Sequence, residues 1–220
     1  MTDNVRHAPQ VHDGPSSRHP LVPYINAWSE EEDPPGKVIE IPGRGLVYAD
    51  ELVTDRDDRG VLWFRTISRP RQGRPNFQRV HPLRQRRAMR RLLCQVCAEP
   101  ADVTEDGVLW LLKDQRTDWP DWPKGMGVTE PPVCLSCVPV AARQCPALRK
   151  GAAAIRARSF PVSGVRAMIY RSGPDGLNPI GEKNIPYGNS ALRWARAMNL
   201  IRKLNECTVV SLEELCQKSK

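Results

Sequence analysis

Two short stretches, CQVC at residues 94–97 and CLSC at residues 134–137, decide how this 220-residue chain is read. In each, two residues separate two cysteines, an interval that lets a tight turn aim both thiolates at one ion. Two such turns complete a closed tetrahedral shell. Four soft thiolates favour Zn²⁺, with an iron–sulfur centre as the chemical rival. Cys94, Cys97, Cys134 and Cys137 are therefore the expected ligands of a structural zinc ion. Ordinary buried cysteines do not account for two pairs at the same spacing. A redox pair of the thioredoxin type needs a βαβ setting, which the flanking sequence lacks. Cys145, eight residues beyond Cys137, is an alternative ligand, whereas Cys207 and Cys216 fall among apolar residues and read as core.

The rest of the cysteine usage agrees. Seven cysteines is an odd number, and the first twenty residues hold no apolar leader core, so a disulfide framework is not expected. No run approaches the roughly 20 apolar residues that span a bilayer. A cytoplasmic protein without membrane contact is the expectation.

Immediately upstream of the first cysteine pair the charge is one-sided. Residues 60–98 hold ten arginines and no Asp, Glu or Lys, although the whole chain carries only +8. The remainder is thus slightly acidic, and the basicity is local. Guanidinium forks match phosphate oxygens, so a nucleic-acid backbone, DNA or RNA, is the expected partner. Arg69, Arg71, Arg74, Arg79, Arg84, Arg86, Arg87 and Arg91 are the candidate contacts. Nothing in the segment identifies base-reading groups, so no sequence specificity is expected. Two competing uses exist. The acidic stretches at 30–33 and 55–59 could neutralise the arginines within the protein. Arg90 and Arg91 also stand beside Cys94, where they would offset the negative charge of a four-thiolate zinc centre.

Further outward, KVIEI (37–41), GLVYA (45–49) and GVLWFRT (60–66) read as a small antiparallel meander. The Pro-, Gly- and Arg-rich 67–81 reads as loop and 83–93 as a helix entered through Pro82. A strand is expected at 108–112, irregular chain at 118–127, and a short helix after Cys137. Beyond these, 165–171 reads as a strand and 189–205 as the strongest helix. In that helix Ala191, Trp194, Ala195, Met198 and Ile201 form a stripe at helical spacing. A strand at 207–211 and a last helix opened by the Ser211–Glu214 capping box complete the chain. The fold class is α+β, with a zinc-stabilised treble-clef-like or ribbon-like centre and flanking antiparallel strands and helices. Its expected parts are a flexible tail at 1–20, a strand meander with the arginine loop at 21–81, a four-cysteine zinc domain at 82–155, and an α+β region at 156–220 packed on it.

Catalysis has little support. The histidines are His7, His12, His19 and His81, and a zinc-knuckle nuclease of the His-Asn-His type would need them after the first knuckle. No nucleophile elbow, Walker loop or dinucleotide fingerprint is present. A metal-dependent or small-molecule enzyme using Asp114, Asp118, Asp121 and Glu130 stays an alternative, with no catalytic residue assigned. The Trp119/Trp122 loop either seals a core or stacks on a ligand. A second class of function, a protein-interaction or accessory module, would use that loop and the 189–205 helix.

The block HPLRQRRAMRRLLCQVCAEPADVTEDGVLWLL (81–112), with WPDWPKGM, EPPVCLSC and CPALRKG after it, resembles a family of uncharacterised actinobacterial proteins with paired cysteine knuckles. The resemblance runs over most of the chain. It implies a zinc-finger framework in a bacterial cytoplasm and carries no activity and no catalytic residues.

Overall fold

The computed structural model describes residues 21–34, 36–174 and 176–219. The tail expected at 1–20 lies outside them. The first elements are β1 (Asn26–Trp28), β2 (Val38–Ile41), β3 (Gly45–Tyr48), β4 (Pro75–Val80) and helix α1 (Pro82–Arg91). The middle of the chain forms β5 (Val103–Thr104), β6 (Gly107–Lys113), β7 (Gly127–Val128) and α2 (Val138–Gln144). The last part forms β8 (Ala152–Ser159), β9 (Val162–Gly173), β10 (Gly176–Pro186), β11 (Ala195–Lys203), β12 (Asn205–Val210) and α3 (Leu212–Lys218). The strands build two four-stranded sheets, β12-β8-β6-β5 and β10-β9-β11-β7, and two small pairs, β1-β4 and β2-β3. Every strand pair is antiparallel, so the protein is mixed α+β.

A long bent ribbon joins the two larger sheets. β8 runs into β9 across Phe160 and Pro161, while β11 runs into β12 across Leu204, with Ser159 facing Asn205 and Val162 facing Arg202. Pro161 has no N–H to give to the ladder, which breaks and bends there. Arg202 staples the bend. Its guanidinium, almost fully buried, donates to the Phe160 carbonyl at 2.5 Å and to the Met89 carbonyl at 2.7 and 2.9 Å. Met89 lies in the last turn of α1, so the cation also meets the negative end of a helix. Gln85 makes a second tie from α1 to the ribbon, exchanging hydrogen bonds with the backbone of Leu200 at 2.9 and 3.0 Å.

The expected helix at 189–205 is a 3-10 turn, Ser190–Trp194, followed by strand β11. The stripe at helical spacing is not the buried set. Ala195 and Ala197 alternate inward, and a bulge at Met198 then moves the phase to Leu200. Pairing with β9 overrides local helix propensity. The expected strand at 60–66 is extended chain with two isolated bridges, Arg56 to Leu62 and Trp63 to Ala197. Part of the expected 67–81 loop is β4. Strands β8 and β10 had no counterpart in the sequence reading. β10 is exposed along most of its length and carries Pro179, Gly181 and Pro186, a composition that protects a sheet edge and hides the strand from pattern reading. β8 straddles the boundary drawn at 155/156, so the four-cysteine and C-terminal regions share their sheets.

Candidate metal centre

Only Leu92 and Leu93 separate the first cysteine pair from α1. Leu92 takes the left-handed conformation (φ 52°), ends the helix and turns the chain toward Cys94. The knuckle closes on itself: the Cys94 N–H donates to the Glu99 carbonyl at 2.7 Å and the Ala98 N–H to the Cys94 carbonyl at 2.9 Å. The Val96 N–H points at the Cys94 sulfur at 3.4 Å, the contact expected of a ligand sulfur. The second pair opens a 3-10 turn, Leu135–Cys137, which runs directly into α2.

The two pairs are brought together by β6. The Val133 N–H donates to the Leu109 carbonyl, and the Asp102 N–H to the Val133 carbonyl, both at 2.9 Å. Val133 is thereby held along the β5–β6 hairpin, and Cys134 is the next residue. The Gln95 N–H donates to the Pro132 carbonyl at 2.9 Å and joins the two knuckles directly.

All four ligand sulfurs lie within 4.8 Å of one another. Cys97 and Cys134 are 3.6 Å apart at sulfur. A tetrahedral zinc–thiolate shell with bonds of about 2.3 Å has sulfur–sulfur edges of about 3.8 Å. The cage therefore has the size for one ion; a polynuclear cluster would hold the sulfurs wider. Cys145 is not among the four. Cys94 and Cys137 are buried among Val96, Leu109, Leu111, Val133, Val138 and Leu215, while Cys97 faces solvent.

The thiols are electrostatically frustrated as a set. The close Cys137 and Cys94 thiols pull the Cys134 thiol down, while the Cys134 and Cys94 thiols push Cys137 up. Partial desolvation on its inner side, with the Cys94 and Cys134 sulfurs adding to it, pushes Cys97 up to about 12. Four thiolates at this separation repel one another, and a divalent cation at their centre is what lets all four ionise. The donor set, spacing and electrostatics fit a metal ion.

Bracing comes from both ends of the chain. The N–H groups of Tyr24 and Ile25 donate to the carbonyls of Val96 and Gln95 at 2.9 and 3.3 Å, and the Leu21 N–H reaches the Gln144 side chain on α2. Leu212, Leu215 and Cys216 of α3 close the apolar cluster.

The arginines divide. Arg84, expected at a phosphate, is buried; its guanidinium grips both carboxylate oxygens of the fully buried Glu31 at 2.6 Å and the Asn26 carbonyl at 2.5 Å. It is removed from any surface. Arg79 pairs with Asp33 and Arg65 with Asp50 and Asp55, while Arg90 reaches Asp58 only at 3.4 Å. Arg86 is half-buried, its guanidinium 4.4 Å from the Trp63 ring centre. Arg69, Arg71, Arg74, Arg87 and Arg91 are exposed and have no carboxylate partner among the described residues. The Arg69 N–H donates to Glu31 at 2.8 Å, so one carboxylate fixes the arginine loop beside the first turn of α1.

Other candidates resolve into structure. His81 is fully buried and caps α1, its Nδ1 accepting the Arg84 N–H at 3.4 Å. Trp122 and Trp119 pack in the cluster around Trp110 and Ile155, so their loop seals a core. Sequence reasoning missed the role of Glu31: nothing in the run Glu30-Glu31-Glu32 marks the middle residue as the buried one. No helix among the described residues is long and apolar enough to cross a membrane. Comparison of the chain with protein-family models, curated proteins and solved structures finds no match, so no activity or ligand is carried over from a relative.

Proposed function

We propose that the four cysteines hold a structural zinc ion and that the centre so built presents an arginine surface to the phosphate backbone of a nucleic acid. The order of parts supports a treble-clef-like centre: a knuckle, the β5–β6 hairpin, then a second knuckle opening a helix. Zinc locks the exit of α1, because only the turn at Leu92 and Leu93 separates the helix from Cys94. The observation that carries the nucleic-acid reading is the set of five exposed guanidiniums without carboxylate partners, in a segment that contains no acid. Arg87 and Arg91 lie one turn apart on the outer face of α1. Arg69, Arg71 and Arg74 lie on the adjoining loop.

Charge of this kind acts through counterion release, so binding falls steeply with salt and depends little on sequence. In a gel-shift series against salt, replacing Arg87 and Arg91 by Ala is expected to weaken binding of arbitrary duplex or single strand. The salt slope should fall by about one to two contacts. Unchanged affinity and slope in that double variant and in R71A/R74A would remove the nucleic-acid reading and leave the zinc centre standing. The role is regulatory or accessory, not catalytic, and the location cytoplasmic.

A further inference from the structure

A second cationic site lies on the other flank of α1. There a cavity of about 300 Å³ is lined by Asp58, Arg59, Arg90, Val162, Tyr187 and Leu200. Arg59 lies over the Tyr187 ring at 4.3 Å, and Arg86, one turn before Arg90, lies over Trp63 at 4.4 Å. Stacking occupies the face of a guanidinium and leaves its edge of N–H donors free. Neither Arg59 nor Arg86 makes a side-chain hydrogen bond or ion pair with any described residue, and the Tyr187 hydroxyl has no partner among them either. Burial pulls the Arg86 pKa down, with the neighbouring Arg90 adding to it, which marks a cation held at a cost.

The nearby carboxylates offset that cost only in part. Asp57 is committed elsewhere: one oxygen accepts the N–H groups of Arg59 and Val61, the other the Trp63 indole N–H, all at 3.0 Å. Asp58 is mostly exposed and meets Arg90 at 3.4 Å, a pair too long and too wet to contribute much. Arg59 and Arg90 thus line the cavity beside one hydroxyl over an apolar floor, with Arg86 next to them and donors in excess of the one acceptor there, the loosely held Asp58.

We propose that this cavity binds an oxyanion of the phosphate type, its oxygens taken by the edges of Arg59 and Arg90 and by the Tyr187 hydroxyl, with Arg86 supplying further positive charge. The stack on Tyr187 holds the Arg59 fork ready and the stack on Trp63 fixes Arg86 beside it, so little side-chain entropy is lost at these two on binding. The site is separate from the Arg87 and Arg91 face and does not depend on nucleic-acid binding there.

The test is calorimetric titration of inorganic phosphate into the metal-loaded full chain, with chloride at matched ionic strength as reference. Phosphate should give saturable binding where chloride gives none. R59M and, separately, Y187F should each weaken it about tenfold or less, and the R59M/R86M pair should abolish it. Arg59 is exposed, so R59M keeps the test sound should the Arg86 variant fold poorly. R87A/R91A should bind phosphate as the parent does. Binding no different from chloride, binding that survives R59M/R86M, or equal loss in R87A/R91A overturns the proposal. Parallel titrations with a small phosphomonoester and with a 5′-hydroxyl oligonucleotide separate the sources. Preference for the first assigns the cavity to a small phosphorylated ligand, and preference for the second to a backbone phosphate.

Discussion

Glu31 shows how much one side chain decides. It has no exposed surface, and its carboxylate takes the Arg84 guanidinium together with the amide N–H groups of Trp28 and Arg69. Burial alone would raise its pKa; these donors more than offset it and hold the group at about 2, against an ordinary 4.5. Removing one partner strands the other, which costs about 3–5 kcal/mol, whereas removing both costs less. Urea unfolding should therefore find E31L well below the parent in stability and E31L/R84M partly restored. A double variant no better than E31L would show that the pair is not the source of the loss. Acid acts in the same direction on both titratable groups here. His81 is held below its ordinary value of 6.5, first by burial and then by the Arg84 charge. The unfolded chain therefore takes up that proton first, and stability falls as pH drops below 6.5. The Glu31 contribution is complete above 4.5 and is lost as pH falls from there through about 2. H81N keeps a cap acceptor and removes the imidazole titration. Its unfolding midpoint should decline less than the parent's between pH 7 and pH 5; parallel curves would contradict this.

Elements were legible where local signals and tertiary pairing agree. Helix α1 announces itself by Pro82 at its first position, and α3 by Ser211, whose hydroxyl accepts the Glu214 N–H at 3.3 Å. The cysteine knuckles were legible because the two-residue spacing that metal ligation asks for is written locally in the sequence. The segment 189–205 was not, since its helical stripe is a local preference and its partner strand β9 is distant in sequence. The bulge at Met198 then breaks the alternation that would have betrayed a strand. One of the eight candidate arginines, Arg84, was misplaced for a related reason: its burial depends on a carboxylate 53 residues away. The joint between ribbon and helix supplies a test at this scale. R202M leaves the carbonyls of Met89 and Phe160 without their donors and should cost about 1–3 kcal/mol for each buried acceptor left unpaired. A stability within 0.5 kcal/mol of the parent, the range of an ordinary surface change, would show that the joint is not held this way.

At the scale of the molecule, the metal centre is where the parts converge. The residues from Leu21 to Ile25, the β5–β6 hairpin, α2 and α3 all touch it or its apolar surround, α1 leads into it through Leu92 and Leu93, and β6 hands that order on to β8 and the bent ribbon. An ion binding only the folded cage adds its binding free energy to folding. Chelation should therefore loosen the arginine helix along with the knuckles, and lost α1 protection in hydrogen exchange would report it. The most direct test is metal analysis combined with X-ray absorption at the zinc edge on protein purified without added metal. One zinc per chain, with four sulfurs at about 2.3 Å and no nitrogen or oxygen in the shell, is the predicted result. Well-folded protein with no stoichiometric metal, or with fewer than four sulfurs around it, would contradict the central claim.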